Sequence, residues 1–377
     1  MGNRICGKGL CNHEEDQNKP KTRSNDMRKM PQSSYIDPSH VEQAFSGQQD
    51  DPIPSEFALE KLLGKSEHGM VFLVTYLPDA SRYIMKVVNK KALRLAVNTS
   101  RQIKDRRILS KDGSPFIVNR AFRFDVSDKL IECIEYVEGI DLSQRLAMGK
   151  LDEEVAKFYA AEVLLGLNWL HTKGITYREL MPQNVLIGMD GHIKLSDFGI
   201  SRLDGSLTLN MILPRIEYVA PEVIEREILD IPMDYWGLGV LIYEMLAGCA
   251  PIQDDADNKR AYLKTLKQSK VTMKYWFSPE ASNLISRLLQ TDVTSKQPDK
   301  RLVTFSEVKS HPFFSGIDWE AILHREVSPP TSASVQMSEL TPDISDTSFI
   351  MNAEFESMLS LGFTFKIESI LLKSVIG

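Results

Sequence analysis

The spacing of hydrophobic and polar positions changes near residue 140 and divides most of the chain into two predicted regions. From about Phe57, short runs rich in β-branched and aromatic residues alternate with polar turns, which predicts an antiparallel sheet. The runs are FALEKLLGK, MVFLVTYL, RYIMKVVN, RAFRFD and KLIECIEYV, with a helix predicted at TSRQIKDRRILS between the third and the fourth. After residue 140 apolar residues recur at helical spacing, so the second region is predicted to be mostly helical.

The helical region carries recognisable start and stop signals. Residues 151–174 begin with acidic side chains and end on Gly174, and residues 232–248 are apolar nearly all round, which predicts a core helix. Another helix is predicted to start at Ser278, with a proline next to it, and TFSE at 304–307 is a capping box.

The two ends of the chain have a different composition. Residues 1–50 are polar and poor in aromatics, which predicts disorder, and residues 315–377 are rich in Ser, Thr and Pro with two hydrophobic islands. The predicted fold class is therefore α+β, with a small β-lobe carrying one helix, a larger helical lobe and an extended tail. A cleft between two such lobes is the expected ligand site.

Composition excludes several classes of function. The net charge of −6 gives no basic surface of the kind that binds nucleic acid, so no nucleic-acid partner is expected. The longest apolar stretch is too short for a membrane span, which needs ~20 residues, and no secretory signal is expected. The four cysteines have no metal-ligand spacing and suit a reducing compartment, which predicts a cytoplasmic protein, expected to be monomeric.

The first residues, MGNRICGKGLC, carry candidate lipidation sites. Gly2 is placed for myristoylation, although the motif prefers Ser or Thr where this chain has Cys6, and Cys6 or Cys11 could carry palmitate. Two acyl chains together would give stable attachment to a membrane surface. Peripheral membrane attachment through an acylated terminus and an unmodified terminus are both left open.

Six short motifs follow one another in a fixed order: LGKSEHGMV, YIMKVV, CIEYVEG, YRELMPQN, LSDFGIS and EYVAPEV. They resemble the motifs of the protein kinase family, and the tail resembles that of the AGC group, whose best-known member is cyclic-AMP-dependent protein kinase. The resemblance covers residues 57–314 and implies a small lobe at 57–135, a hinge at 135–140, a large lobe at 141–314 and a tail at 315–377. It also implies ATP and Mg²⁺ as cofactors.

The resemblance implies nucleotide contacts from both lobes. Gly64 and Gly69 match the first and third glycines of the loop over the phosphates, Ser66 replaces the second, and Lys86 matches the lysine that contacts the α- and β-phosphates. The residues implied to line the ATP site are Gly64, Lys65, Ser66, Gly69, Val71, Ile84, Lys86, Ile134, Glu135, Val137, Asp141 and Leu186.

Several positions of the small lobe depart from the family pattern. Ile84 stands where the family has Ala and thickens the roof over adenine, unless the strand shifts to fit. Asp105 takes the place of the helix Glu that pairs with Lys86; the alternative is a solvated helix residue. Arg120 stands where the family has Leu, and a charge there either loosens the arrangement of the lobes or turns to solvent. Ile134 is the implied gatekeeper.

The implied metal ligands and structural residues are present. Asn184 and Asp197 match the residues that hold Mg²⁺, whose preferred ligands are hard oxygens. Glu222 is expected to pair with Arg287, and Asp234 is expected to steady the catalytic loop from its core helix. Phe198 and Gly199 complete the motif that contains Asp197, with Phe198 packing under the small-lobe helix.

The catalytic loop itself departs from the pattern. Glu179 occupies the position of the Asp that accepts the proton of the substrate hydroxyl, and Met181 that of the Lys that stabilises the transferring phosphoryl group. The usual activating Thr is replaced by Met211, and Arg215 replaces another Thr of the activation segment. We predict an ion pair between Glu179 and Arg215 that holds the carboxylate away from a substrate.

Two functions follow from this pattern. One is a pseudokinase that binds Mg-ATP and acts through protein contacts, which the co-occurrence of Glu179, Met181, Met211 and Arg215 favours. The other is a weak serine/threonine kinase that uses Glu179 as its base. The expected partners are protein substrates or partner kinases, and the positions of Asp141, Glu217 and Glu244 imply basic peptides.

The tail contains two candidate phosphosites. Thr341 lies in LTPD, which resembles a turn motif, and Thr364 lies in FTF, which resembles the hydrophobic motif of AGC tails. If so, Phe363 and Phe365 are buried in a groove beside the small-lobe helix. Ordinary tail residues are the alternative.

Overall fold

The computed structural model describes most of the two predicted lobes and a short part of the tail. The described residues are 53–66, 69–89, 113–126, 128–196, 213–226, 230–252, 263–264, 266, 271–291, 301–330, 358, 361 and 363–365.

The small lobe is built on the predicted sheet. Its strands are β1 (Phe57–Ser66), β2 (Gly69–Tyr76), β3 (Ser81–Asn89), β4 (Arg120–Val126) and β5 (Lys129–Glu135), with the order β4-β5-β3-β2-β1 and antiparallel pairing throughout. The expectation of an antiparallel β-lobe is therefore confirmed. The helix predicted at 99–110, with Asp105, lies outside the described residues.

The two faces of this sheet have different chemistry, because successive side chains of a strand point to opposite faces. Phe72, Met85 and Cys133 lie opposite one another on β2, β3 and β5 and belong to a buried apolar cluster. The other face carries Val71, Ile84, Lys86 and Ile134, which were all predicted to line the ATP site. The register thus brings these four residues to one face of the sheet.

The large lobe is mostly helical, as predicted. Its helices are α1 (Leu142–Ala147), α2 (Glu153–Thr172), α3 (Pro221–Arg226), α4 (Pro232–Ala247), α5 (Pro279–Leu288) and α6 (Phe305–Lys309). A further helix, α7 (Trp319–Leu323), lies in the segment predicted as tail but packs against the core of this lobe. A three-stranded sheet of β6 (Gly139–Asp141), β7 (Val185–Gly188) and β8 (Ile193–Leu195) completes the lobe. Among the described helices, none combines the length and apolar character that crossing a membrane requires.

Helix ends follow the local chemistry of the sequence. The Ser278 hydroxyl accepts a hydrogen bond of 3.0 Å from the Ala281 N–H at the start of α5, and the Thr304 hydroxyl caps α6. Helix α4 ends at Gly248, whose φ of 77° is a conformation that glycine adopts without strain. The N–H of Gly248 donates to the Glu244 carbonyl and closes the last turn.

The two lobes are tied together behind the hinge. Ile117, which precedes β4, forms a parallel bridge with Leu195 of β8, and the Lys194 ammonium lies 2.8 Å from the Glu135 carboxylate at the end of β5. The Arg325 guanidinium, after α7, donates to the Pro115 carbonyl at 2.7 Å. These contacts fix the small-lobe sheet relative to β8, whose end leads into the candidate site.

Part of the tail joins the small lobe. Strand β9 (Thr364–Phe365) pairs in parallel with Ala58 and Leu59 at the outer edge of β1, so the sheet has six strands. Phe363, 2% exposed, belongs to the apolar cluster on the sheet face opposite Lys86. The described contacts of Phe363 are therefore with the sheet. The small-lobe helix, beside which the sequence predicted a groove for Phe363, lies outside the described residues. An exposed strand edge offers unpaired backbone groups, which explains why the tail adds there.

We predict that Phe363→Ala destabilises the small lobe, because deletion of a buried phenyl ring costs ~3–5 kcal/mol. Thermal unfolding should show a clear loss in Tm, and hydrogen exchange at the amides of β1 should become faster. The matched control is Leu77→Ala, since Leu77 is 51% exposed and a substitution at such a site changes stability by about 0.5 kcal/mol at most. Equal Tm values for the two variants would contradict the docked position of the tail.

Candidate active site

A buried carboxylate organises the loop at 177–184. Asp234, on α4, is 1% exposed and accepts hydrogen bonds from the backbone N–H of Tyr177 at 2.8 Å and of Arg178 at 2.7 Å. Its Oδ2 also lies 2.8 Å from Nε2 of His171 at the end of α2. These bonds hold Arg178 at a φ of 72°, which is rare for a residue with a side chain. Asp234 thus steadies the loop from the core helix.

The loop is also tied to the end of β8. The Tyr177 hydroxyl donates to the Ser196 carbonyl at 2.6 Å, and the Ser196 N–H donates to the Asn184 carbonyl at 2.9 Å. Ser196, the residue before Asp197 in the chain, therefore lies beside Asn184. Asp197, Phe198 and Gly199 themselves lie outside the described residues.

Strand β8 is held in place by a buried acid on α2. One carboxylate oxygen of Glu162 accepts from the Ile193 N–H at 2.9 Å, and the other lies 2.5 Å from Nδ1 of His192. Burial raises the pKa of the Glu162 carboxyl, while its hydrogen bonds with His192 and Ile193 oppose that shift. The partnered carboxylate fixes the strand that delivers Ser196 to the site.

Asn184 has the geometry of a metal ligand. Its Nδ2 donates to the Glu179 carbonyl at 2.8 Å, which orients the side-chain amide. No described residue donates to its Oδ1. An amide oxygen is a hard ligand of the kind Mg²⁺ prefers, so this side of the predicted metal site fits the ion.

Glu179 and Met181 face away from open solvent. Glu179 is 7% exposed, and Met181 packs against the hydrophobic core of the large lobe. Arg215 belongs to the 3₁₀ segment Leu213–Tyr218, but its side chain and the whole of Met211 lie outside the described part of the chain. The Glu179–Arg215 ion pair therefore stays a prediction.

Two isoleucines cover the sheet face above the predicted nucleotide. Ile84 on β3 and Ile134 on β5 are directly opposite each other, so two β-branched side chains stand side by side in the roof. Gly69 lies so near β3 that a Cβ atom there would be 2.4 Å from the Val87 carbonyl oxygen. The side chains of Lys65 and Ser66 lie outside the described set, although both residues are in β1.

The hinge keeps backbone groups available for a base. Within the described residues, the N–H and carbonyl of Val137 make no hydrogen bond, whereas Glu135 is engaged: its N–H donates to the Asn119 carbonyl at 2.8 Å. Asp141 caps α1, with its Oδ1 accepting from the Gln144 N–H at 2.9 Å. A ribose or substrate contact of Asp141 would have to share that carboxylate. Leu186 lies opposite Asp141 on β7.

Sequence reasoning missed Glu132, which shares the sheet face of Lys86. Lys86 is directly opposite Glu132 on β5, and the Glu132 Oε1 lies 3.6 Å from an Arg120 Nη1. Arg120 therefore does not turn to solvent, since its side chain is mostly buried beside this carboxylate. A lone acidic residue in the apolar run LIECI was the signal that could have revealed this cluster.

The expected partner of Glu222 was wrong. The Glu222 carboxylate lies 2.6 Å from Nη1 of Arg301 and not against Arg287. Arg301 is fully buried, stacks 5.0 Å from the Trp236 ring centroid and donates to the Gln290 carbonyl. The two arginines lie on adjacent segments, because the Leu302 N–H donates to the Arg287 carbonyl at 3.2 Å. The Lys-Arg-Leu triplet one residue before the TFSE capping box was the missed signal.

Two of the three acidic residues predicted to read a substrate, Glu217 and Glu244, lie near each other in the fold. The Glu244 carboxylate, on α4, accepts a hydrogen bond from the Tyr218 hydroxyl. Glu217 precedes Tyr218, and its carbonyl accepts from Nε1 of Trp236 at 3.4 Å. The tyrosine thus orients one carboxylate beside the segment that carries the other.

Comparison with known proteins identifies the class. A model of the protein kinase domain matches residues 57–314. The chain therefore belongs to the protein kinase family, in agreement with its motifs and its two-lobed fold.

Similar proteins narrow the group. Ribosomal protein S6 kinase 2 alpha of Gallus gallus is 37% identical over 314 residues, which cover 81% of this chain and 40% of the relative. Ribosomal protein S6 kinase alpha-1 of Homo sapiens is 36% identical over 314 residues, covering 81% and 41%. The RAC family serine/threonine-protein kinase homolog of Dictyostelium discoideum is 33% identical over 331 residues, covering 84% and 73%. The chain thus spans about two fifths of these S6 kinases, and the relatives support the predicted AGC group of serine/threonine kinases.

We predict that Arg301→Gln is far more damaging than Arg287→Gln. Loss of Arg301 leaves the Glu222 carboxylate buried without its counter-charge, which costs ~3–5 kcal/mol. The measurement is the Tm of each variant, together with the rate of limited proteolysis in the segment before Glu222. The outcome that contradicts this assignment is an equal or larger loss in Tm for Arg287→Gln.

Proposed function

We propose that this chain binds Mg-ATP between its lobes but transfers phosphoryl groups poorly or not at all, and that it acts through contacts with protein partners. Within the kinase family this describes a pseudokinase. The proposal separates two properties of the site, nucleotide binding and catalysis, which depend on different residues.

Nucleotide binding is supported by the residues that remain. Lys86 shares its sheet face with Val71 and both isoleucines of the roof, and the Val137 backbone is available in the described hinge. Asn184 presents an amide oxygen for Mg²⁺. Asn184 and Asp197 would hold Mg²⁺, which would supply positive charge to neutralise the phosphates. The residues of this chain orient the nucleotide, with Lys86 on the phosphates and the hinge on the base.

The observation that carries the proposal is the environment of Glu179 and Met181. Glu179 is almost fully buried, whereas a base that accepts a proton from a substrate hydroxyl must reach that hydroxyl. Met181 packs on the large-lobe core, so the position of the expected lysine offers no charge to the transferring group. A positioned base contributes ~10²–10⁴-fold to a rate, and both contributions are compromised here.

An active kinase is the second candidate, and the intact scaffold favours it. Asp234, Tyr177 and Asn184 hold the loop in a single arrangement around Glu179. Glu179 keeps a carboxylate but extends about 1.5 Å further than Asp. In a site where a 1 Å displacement costs about 10²-fold, this candidate would retain a slow reaction.

We predict that the purified chain does not label a basic peptide with the γ-phosphate of radiolabelled ATP above the level of an Asp197→Ala variant. Mg-ATP should still raise the Tm of the wild-type protein. The triple variant Glu179→Asp, Met181→Lys and Arg215→Thr restores the family residues. It should label the peptide at a rate at least ~10²-fold above that of the wild-type chain.

The Asp197→Ala control separates true activity from a contaminating kinase. Wild-type labelling that disappears in this control would establish the active enzyme and reject the pseudokinase. If Mg-ATP does not raise the Tm of the wild-type protein and no labelling is found, the proposed nucleotide binding is rejected.

A further inference from the structure

A carboxylate is buried in the middle of the small-lobe sheet. Glu132 is 3% exposed and lies on β5, between β3 and β4. It is directly opposite Lys86 on β3 and Arg123 on β4. Because directly opposed residues point to the same face with Cβ atoms about 5 Å apart, these three side chains form one row across the sheet.

The row lies on the face predicted to cover the nucleotide. Lys86 and Ile84 are two positions apart on β3, and Glu132 and Ile134 are two positions apart on β5, so all four share that face. Glu132 therefore lies directly beside Lys86, the lysine implied to contact the phosphates. The apolar cluster with Cys133 occupies the other face.

The electrostatic environment of Glu132 is cationic. Its Oε1 lies 3.6 Å from Nη1 of Arg120 and 3.8 Å from Nε of Arg123. Both distances exceed a good hydrogen bond, and this oxygen accepts none from the described residues. A buried carboxylate oxygen without a donor is costly, so it has capacity for a further cationic donor. Lys86 lies directly opposite Glu132 in the row, and it is the residue from which we expect this donor.

We propose that Glu132 is a positioning residue for Lys86, accepting a hydrogen bond from the ammonium and directing it towards the phosphates of bound nucleotide. This proposal rests on the proposed function, since it assumes that Lys86 contacts phosphate. It gives Glu132 the task that sequence reasoning assigned to Asp105.

A strand residue performs this task differently from a helix residue. The ladder of hydrogen bonds between β3 and β5 fixes Glu132 relative to Lys86. A carboxylate on a separate helix would depend on the position of that helix, and the side chain of Asp105 is one methylene shorter than Glu. A contact between Lys86 and Glu132 would therefore be set by the pairing of β3 with β5. Arg120 and Arg123 compensate the carboxylate and leave the row with excess positive charge, which suits a polyphosphate.

The test compares nucleotide and nucleoside binding by calorimetry on the full chain. Glu132→Gln should raise the Kd for Mg-ATP about tenfold, equivalent to about 1.4 kcal/mol, and should leave the Kd for adenosine unchanged. The matched control, Asp128→Asn, makes the same chemical change on a half-exposed side chain next to the start of β5 and should leave both Kd values unchanged. On a Lys86→Met background, Glu132→Gln should have no further effect on Mg-ATP.

Three results would overturn the proposal: an unchanged Kd for Mg-ATP in Glu132→Gln, an equal loss for adenosine, or an undiminished loss on the Lys86→Met background. The last two identify a carboxylate that only neutralises Arg120 and Arg123. If Glu132→Gln does not fold, Glu132→Asp is used instead, since its side chain is one methylene shorter and holds the carboxylate further from Lys86. It should raise the Kd for Mg-ATP by a smaller factor and leave the Kd for adenosine unchanged. Wild-type affinity in that variant would count against the proposal.

A measurement without nucleotide separates this proposal from the proposed function. Should the wild-type protein fail to bind Mg-ATP, nucleotide binding is rejected, and Lys86 is examined by its rate of acylation, followed by peptide mass spectrometry. An ammonium held by a carboxylate is less available to the reagent, so Glu132→Gln should accelerate labelling of Lys86 severalfold while Asp128→Asn does not. Equal rates in the wild type and both variants would overturn the role of Glu132.

Discussion

The hydrogen bonds of the buried Asp234 carboxylate are the constraint on which the candidate site depends. An ionised carboxylate in a protein interior must be fully partnered, and Asp234 obtains its partners from Tyr177, Arg178 and His171. Two of these are backbone N–H groups, so the path of the loop is fixed whatever side chains follow. Substitution of Glu179 and Met181 can therefore change the chemistry of the loop without changing its fold.

The small lobe shows the same separation between scaffold and chemistry. The strand register places Lys86, Ile84 and Ile134 on one face through backbone pairing alone, and the roof residues vary within that frame. In our proposal, the Glu132 carboxylate inside the sheet then positions the Lys86 ammonium. The chain retains this set of residues next to a loop that lacks the usual Asp and Lys. We expect this combination in a protein that binds ATP and acts through contacts with protein partners.

The sequence predicted the five strands of the small lobe and the main helices of the large lobe, because the periods of 2 and 3.6 and the caps at Ser278 and Thr304 are local signals. The partner of Glu222 was not predictable in this way, since Arg301 reaches it through tertiary packing. The capping role of Asp141 does have a local signal, the Gln three residues later. The pairing of β9 with β1 joins residues 306 positions apart in the chain. It extends over only two residues, which is too short for a periodic pattern.

The most direct test of the central claim is to follow the fate of bound nucleotide. The wild-type chain is equilibrated with Mg²⁺ and ATP labelled on the γ-phosphate, in the presence of a basic peptide, and both the bound nucleotide and all products are then quantified. The account predicts one nucleotide bound per chain and recovered as intact ATP, with no label on the peptide or the protein. Absence of bound nucleotide, or bound ADP with the label transferred to peptide, would contradict it.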